Sequence, residues 1–266
     1  MGVLDRIVAH KREELAGRVR RMPLAEMRRR AADAPPARPF HDALRRTPGG
    51  PARLIAEVKG SSPSAGTIRA EFDPVGIART YAAAGASAVS VLTDARFFAG
   101  ADEHLVRVRG AVEVPVLRKD FTVDPYQVYE ARAIGADAVL LIAAVLGASA
   151  LADLGALAAE LGMAALAEAH TEAELDAALA VRAPLVGINN RNLDTLETSL
   201  EVTRRLRPRV PAGVTVVAES GIERRGDVAE MERLGVDAIL VGTALMRAAD
   251  PGARVRELLG ANEEAP

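Results

Sequence analysis

The sequence predicts a single (β/α)8 barrel of the TIM type, and three observations predict it. Three segments repeat one theme: Gly85-Ala86-Ser87-Ala88-Val89-Ser90-Val91, Gly135-Ala136-Asp137-Ala138-Val139-Leu140-Leu141 and Gly235-Val236-Asp237-Ala238-Ile239-Leu240-Val241. Eight apolar runs alternate with amphipathic helical stretches, and no long linker interrupts them. The carboxyl ends of those runs carry charge, where barrels of this kind place their chemistry.

Each repeat follows a helical stretch, so its glycine suits the left-handed cap that closes a helix. The chain then turns within two residues into a β-branched and aliphatic run. The glycines are 50 and then 100 positions apart. A unit of about 25 residues fits both intervals and has the length of a βα unit. On that spacing, strands fall near Leu54–Lys59, Ala88–Thr93, Val114–Lys119, Ala138–Ala143, Ala164–Glu168, Leu185–Asn189, Thr215–Glu219 and Ala238–Gly242. Helices fall at Pro74–Ala84, Pro125–Ile134, Glu172–Val181 and Arg225–Leu234. The strands are continuous apolar runs, as expected when both faces of a parallel sheet are covered. A doubly wound open sheet would bring fewer strands and a dinucleotide fingerprint, which the sequence lacks.

At 266 residues and 49% hydrophobic content, the chain can bury a full core. Residues 1–48 carry a helical pattern up to Ala32, ended by Ala34-Pro35-Pro36-Ala37-Arg38-Pro39. That stretch is too short to hold a core of its own. It is expected as an N-terminal helical extension packed on the barrel and covering its mouth, with residues 49–266 forming the barrel as one structural domain.

The net charge of −2 offers no field for nucleic acid or an anionic membrane, so neither is expected as a partner. The early cluster Arg18, Arg20, Arg21, Arg28, Arg29 and Arg30 reads as a solvated helical face. With no Cys, disulfides and thiolate metal sites are excluded. Met1–Arg6 lacks the apolar core of a signal peptide, and no apolar run reaches the roughly 18 to 20 uncharged residues of a spanning helix. The expectation is a soluble, cytoplasmic protein, a monomer or at most a weak dimer.

The segment Ile55-Ala56-Glu57-Val58-Lys59-Gly60-Ser61-Ser62-Pro63-Ser64-Ala65-Gly66 is the most telling. A strand has a side-chain period of two, so Glu57 and Lys59 share a face. The Ser- and Gly-rich loop after them offers hydroxyls and unobstructed backbone N–H groups to an anion. A buried strand ending in charge is costly for a purely structural segment. Later strand ends repeat the pattern. Leu117, Lys119 and Phe121 lie on one side of the third strand, Arg118 and Asp120 on the other. The fifth ends in Glu168-Ala169-His170, the sixth in Asn189-Asn190-Arg191, the seventh in Glu219-Ser220-Gly221 and the eighth in Gly242-Thr243-Ala244.

If alternate residues face inward, the mouth sets Lys59, Lys119 and Arg191 against Glu57, Glu168 and Glu219, with Asn189 between them. Barrel interiors also hold ion pairs that only tie strands together, and Glu57 and Glu219 fit that role as well as a chemical one. His170 reads as a surface or loop residue. The turns Ser220-Gly221 and Gly242-Thr243 stand where such barrels hold a phosphate, with no side chain at either glycine to block it.

In this order and register, Ile55–Gly66, Leu117–Phe121, Ala167–Thr171, Gly187–Leu193, Thr195-Leu196-Glu197, Ala218–Ile222 and Leu240–Met246 resemble the indole-3-glycerol phosphate synthases of tryptophan biosynthesis. The likeness covers essentially the whole chain. It implies ring closure of 1-(2-carboxyphenylamino)-1-deoxyribulose 5-phosphate to indole-3-glycerol phosphate, carbon dioxide and water, a carboxy-lyase reaction. By the same likeness, Lys119 is the general acid at the carbonyl and Glu168 the acid or base of the dehydration. Lys59 meets the anthranilate carboxylate, Glu57 and Asn189 position lysine and substrate, and Arg191 stands near the carboxylate. Ser62, Gly221, Gly242 and Thr243 take the phosphate, with Ser220 lining the same site and Glu219 also on the substrate. Phe98 and Phe121 flank the aromatic ring.

That chemistry moves protons and carbon but no hydride, so no cofactor and no metal is expected. Each well-placed proton transfer is worth on the order of 10² to 10⁴ in rate. A second lysine nearby would make Lys119 a stronger acid. Other readings are a related phosphosugar barrel, such as phosphoribosylanthranilate isomerase or a Schiff-base aldolase using Lys119, and a barrel that only binds phosphorylated ligands. Gly60 and Ala65 depart from the family's common forms, where a basic residue is frequent, and Thr243 stands where Ser is common.

Overall fold

The computed structural model describes residues 2–62, 66–68 and 72–261. Eight parallel strands close into a barrel: β1 (Arg53–Val58), β2 (Ala88–Leu92), β3 (Val116–Lys119), β4 (Ala138–Ile142), β5 (Ala164–Ala169), β6 (Leu185–Asn189), β7 (Thr215–Glu219) and β8 (Ala238–Val241). Each strand pairs with its sequence neighbours, and β8 closes on β1 with Arg53 opposite Ala238. The expected strands agree with these to within two residues at each end. The four expected helices appear as Pro74–Ala83, Pro125–Ala133, Glu172–Ala180 and Arg225–Arg233.

The local causes are visible. Asp73 and Asp124 cap their helices by accepting from the backbone N–H of Val75 and Tyr126, each with proline at the first helical position. The repeat glycines sit in the left-handed region, at φ 106° for Gly85, 89° for Gly135 and 78° for Gly235.

Strand alternation then divides the core in two. Leu54, Ala56 and Val58 of β1 face outward and pack under the helices, beside Tyr81 and Leu258. Ile55 faces inward and joins Leu117, Leu140, Leu166, Leu185, Val217 and Leu240 in the barrel interior. Helix Ala143–Glu160 has the length and apolarity of a membrane-spanning helix, but its backbone breaks at Gly147, with φ 66° and ψ 172°. Its Leu151, Leu154 and Ala158 are buried in the outer core.

The amino-terminal segment runs from the top of the barrel to its base. The helical pattern up to Ala32 is two helices, α1 (Val3–Arg21) and α2 (Leu24–Asp33), because Pro23 cannot continue the hydrogen-bond ladder. Leu15 and Met27 of this pair pack on Tyr126, whose hydroxyl donates to the Met22 carbonyl at 3.0 Å. The Pro-rich stretch descends the outside, held where Arg132 donates to Ala34 and the Arg38 N–H donates to Asp137. Beneath the barrel, α3 (Phe40–Leu44) puts Phe40 and Leu44 into the interior cluster, and His41 meets Thr215 at the start of β7.

One part of the arginine cluster departs from expectation. Arg29 and Arg30 are exposed and pair with Glu26, as a solvated face would. Arg18 is instead drawn into a partly buried network with Glu14, Asp102 and Glu130. Arg118 of β3 joins it from the barrel, 2.8 Å from Glu130 and 2.9 Å from Asp102. Lys11 stands beside this network, 2.9 Å from Asp94 and 3.0 Å from Asp120. The outward face of β3 is therefore clamped to α1 by charge, while its inward face carries Lys119.

Candidate active site

The carboxyl ends of the strands converge on a cavity of about 470 Å³. Glu57, Lys59, Lys119, Glu168, Asn189, Arg191 and Glu219 all line it, so the structure brings these expected residues to one mouth. Phe98 and Phe121 line it from one side, with ring centroids 6.0 Å apart. Ser220, Gly221, Gly242 and Thr243 line it from another. Ser62 sits in a two-residue hairpin after β1, opposite Gly66. The Ser62 side chain and Ala65 lie outside the described residues. At Gly60 a side chain would first meet the Phe72 ring, 3.5 Å from an added Cβ.

Charge in the mouth is paired across strands. Lys119 Nζ stands 3.3 Å from Glu168 Oε2 and 3.6 Å from Glu219 Oε2. Lys59 Nζ stands 2.6 Å from Glu57 Oε1. Burial opposes the charged form of Lys119, but the carboxylates of Glu168, Glu219 and Glu57 outweigh it and hold the ammonium above its ordinary range. This corrects the expectation that a second lysine makes Lys119 a stronger acid: its nearest charges are carboxylates.

Burial likewise works against ionised Glu168, yet Lys119 and His170 together bring its carboxyl well below the usual range. Glu57 is brought down in the same way by Lys59 and Lys119. Glu219 goes the other way. Burial and the neighbouring Glu168 push it up to about 8, so it is protonated at neutral pH. Neither of its oxygens has a hydrogen-bond partner among the described residues. Two close carboxyls thus divide into one ionised and one neutral, the arrangement that lets one site hold a base beside an acid.

The turns after β7 and β8 are shaped by close approach. Ser220 and Gly221 both have positive φ, 64° and 76°. The first is a strained choice for a residue with a Cβ, the second a natural one for glycine. A Cβ on Gly221 would lie 2.8 Å from Thr198 Cγ2. At Gly242 a Cβ would collide with Oε1 of Glu57 and lie 2.9 Å from Lys59 Nζ. The bare backbone there makes room for the Glu57–Lys59 pair.

Three further contributions lie outside the sequence reading. Val3, Leu4 and Ile7 of α1 supply an apolar rim, legible only as the inward stripe of an amphipathic helix. Arg247 lines the cavity beyond Thr243. The two are four residues apart across the short helix Thr243–Met246, which puts them on one side. His170 is the third: it lies in the loop just past β5, as read, but its side chain is largely buried rather than at the surface. Its side chain is 11% exposed, with Nε2 3.3 Å from Glu168 Oε1 and Nδ1 3.0 Å from Glu174 Oε2.

Lysines facing carboxylates at the strand ends of a closed eight-stranded barrel define a (β/α)8-barrel enzyme working by acid–base chemistry. The model of the family described as indole-3-glycerol phosphate synthase matches residues 4–258. The chain belongs to that family. It is 53% identical over 261 residues to an indole-3-glycerol phosphate synthase from an Azoarcus species, covering 97% of this chain and 99% of that one. It is 52% identical over 259 residues to another from Aromatoleum aromaticum, with the same coverage. Among solved structures it resembles a 3-hexulose-6-phosphate synthase, with TM-score 0.65 at 17% identity, covering 79% of this chain and 99% of the other. A second, from Salmonella typhimurium, gives TM-score 0.64 at 14% identity over 78% and 97%. These last two share the fold.

Proposed function

We propose that this mouth closes the indole ring of 1-(2-carboxyphenylamino)-1-deoxyribulose 5-phosphate, with Lys119 as the acid of the first step. The observation that carries the assignment is the Lys119 ammonium, held between Glu168 and Glu219 in the floor of the cavity. The aryl carbon bearing the carboxylate attacks the sugar carbonyl, and Lys119 protonates the oxygen that becomes a hydroxyl. Carbon dioxide then leaves, and its bonding electrons restore the aromatic ring. In the last step the hydroxyl takes a proton and departs as water, while a base removes a proton from the carbon next to nitrogen. Each turnover consumes one proton, matching the carboxylate charge lost as carbon dioxide.

Ionised Glu168 is placed to act in that dehydration, and the neighbouring Asn189 adds to the groups that favour its charged form. Lys59 meets the substrate carboxylate, assisted by Arg191, while Glu57 orients Lys59 through their short ion pair. The backbone of Gly221 and Gly242, with Thr243, Ser220 and Ser62, takes the phosphate at the opposite end. Neutral Glu219 donates a hydrogen bond to a substrate oxygen. Phe98, Phe121 and the rim from α1 hold the aromatic ring. The apolar walls there favour a ring, and the lysines favour the charged ends.

One chain supplies every group used, so a monomer suffices, with residues 1–48 acting as an extension of the barrel's own unit. Proton and carbon chemistry of this kind asks for no metal or redox cofactor, and we place the enzyme in the cytoplasm. The test is to incubate purified protein with the carboxyphenylamino deoxyribulose phosphate and follow indole fluorescence. A rising signal, lost in Lys119→Ala, supports the reading. A folded protein that binds the compound and gives no signal overturns it.

A further inference from the structure

We infer that His170, backed by Glu174, is a positioning residue for this reaction: it keeps Glu168 ionised and turned toward Lys119. The inference rests on the reading of Glu168 as the acid–base group of the dehydration. His170 does not line the cavity, so whatever it contributes passes through Glu168.

The geometry is a relay of alternating charge through the barrel wall. One oxygen of Glu168, Oε2, faces Lys119 Nζ at 3.3 Å, and the other, Oε1, faces His170 Nε2 at 3.3 Å. That second approach is an ion-pair contact whose geometry falls short of a hydrogen bond. On the far side of the ring, Nδ1 lies 3.0 Å from Glu174 Oε2. Glu174 is itself fixed, because its Oε2 accepts from the His170 backbone N–H at 2.8 Å and its Oε1 from the Thr171 hydroxyl at 3.0 Å. The ring therefore has a carboxylate at each nitrogen. Only the imidazolium carries hydrogen on both, and a neutral ring would turn a lone pair toward one carboxylate.

Burial works against that charge, but Glu168 and Glu174 overcome it and lift His170 to about 10. The other groups facing Glu168 are Lys119 from β3, Asn189 from β6, Glu219 from β7 and Glu57 from β1. Among them, Glu219 competes with Glu168 for a single proton. Lys119 stands near both, at 3.3 and 3.6 Å, and separates them little. Of these two carboxyls only Glu168 lies in contact with His170, so the imidazolium weights the shared proton toward Glu219.

The test compares pH profiles of kcat and kcat/KM for the wild type, His170→Gln, Glu174→Gln and Glu168→Gln, with carboxyphenylamino deoxyribulose phosphate as substrate. For His170→Gln we expect kcat to fall about tenfold, KM to stay within about twofold, and the acid limb of kcat to rise by about one pH unit. Glu174→Gln moves the same limb the same way by less. A loss of kcat without movement of the limb, or no loss at all, overturns the inference. Glu168→Gln separates the two assignments: near-wild-type turnover there removes the role of Glu168 itself. Independently, 15N shifts of the His170 ring report its charge. An imidazolium at pH 8 that becomes neutral in Glu174→Gln or Glu168→Gln supports the relay, even if His170→Gln does not fold. A ring already neutral at pH 8 in the wild type overturns it.

Discussion

Glu57 occupies the space that a side chain on Gly242 would need. A Cβ there would strike the Glu57 carboxylate and stand 2.9 Å from Lys59 Nζ. Two strands that pair directly, β1 and β8, thus bring a charged pair and a bare backbone into one place.

The consequence separates two roles of Gly242. If the glycine serves only a phosphate, substitution weakens substrate binding and spares turnover. Because it also houses Glu57 and Lys59, we expect Gly242→Ala to raise KM and to lower kcat about tenfold or more through the displaced pair. Steady-state kinetics decides this, and an unchanged kcat would show that the pair adjusts freely.

The division of charge between Glu168 and Glu219 predicts unequal effects of one chemical change. Gln is a close match for a neutral carboxyl and a poor one for a carboxylate. Glu168→Gln and Lys119→Ala should each cost on the order of 10² to 10⁴ in kcat. Glu219→Gln at pH 7 should cost much less, because the group it replaces is already protonated below about 8. Equal losses in the two Gln variants, measured side by side, would place the shared proton on the wrong residue.

Most of the barrel was legible because its strands are apolar on both faces and three repeated units open on left-handed glycines that close a helix. The mouth was legible for a related reason, since a period of two sends Glu57 with Lys59, and Lys119 with Phe121, to one side. What escaped depends on partners far away in sequence. Arg118 and Asp120 were read on the side of the strand opposite Lys119, but nothing local announces that Lys11 and Arg18 close over that side. The break at Pro23 was a local signal that the helical pattern masked. His170 had a readable signal as well. It stands just past the strand that carries Glu168 and four residues before Glu174, a spacing that brings His170 and Glu174 together at a helix start. Its charge state follows from the two carboxylates packed against its ring, one of them from the strand before it, and that packing is not displayed by a sequence.

The clamp on the outer face of β3 carries its own prediction. Lys11 lies between Asp94 and Asp120, both almost wholly inaccessible, and burial of its ammonium is outweighed by those carboxylates. Lys11→Met keeps the stem and removes the charge, taking the paired cation from buried Asp94 and leaving Asp120 with Arg118, 3.5 Å away. We expect a loss of about 3–5 kcal/mol in urea unfolding, the usual cost of breaking a buried pair from one side. Arg29→Ala, which breaks exposed pairs with Glu26 and Asp33, should change stability little. Similar small effects in both would mean that water reaches the clamp.

Glu219 also makes a prediction about stability and pH. Its carboxyl is held at about 8 when folded, against an ordinary value near 4.5. Between those values the folded state holds a proton that the unfolded state has released, so this group's contribution to stability falls as pH rises through the interval. Below about 4.5 both states are protonated, and above about 8 both are ionised, so the penalty is absent at the low end and constant at the high end. Glu219→Gln removes the titration and keeps the volume. The variant should therefore match the wild type at pH 4.5 and exceed it increasingly up to pH 8, beyond which the gap stops growing. Urea unfolding of both proteins across that range gives the gap directly, and the titrating groups remote from Glu219 cancel in the difference. A gap that stays level from pH 4.5 to 8 would mean that Glu219 ionises like an ordinary carboxylate. The mouth would then hold two negative charges beside Lys119, and the acid–base division drawn above would lose its basis.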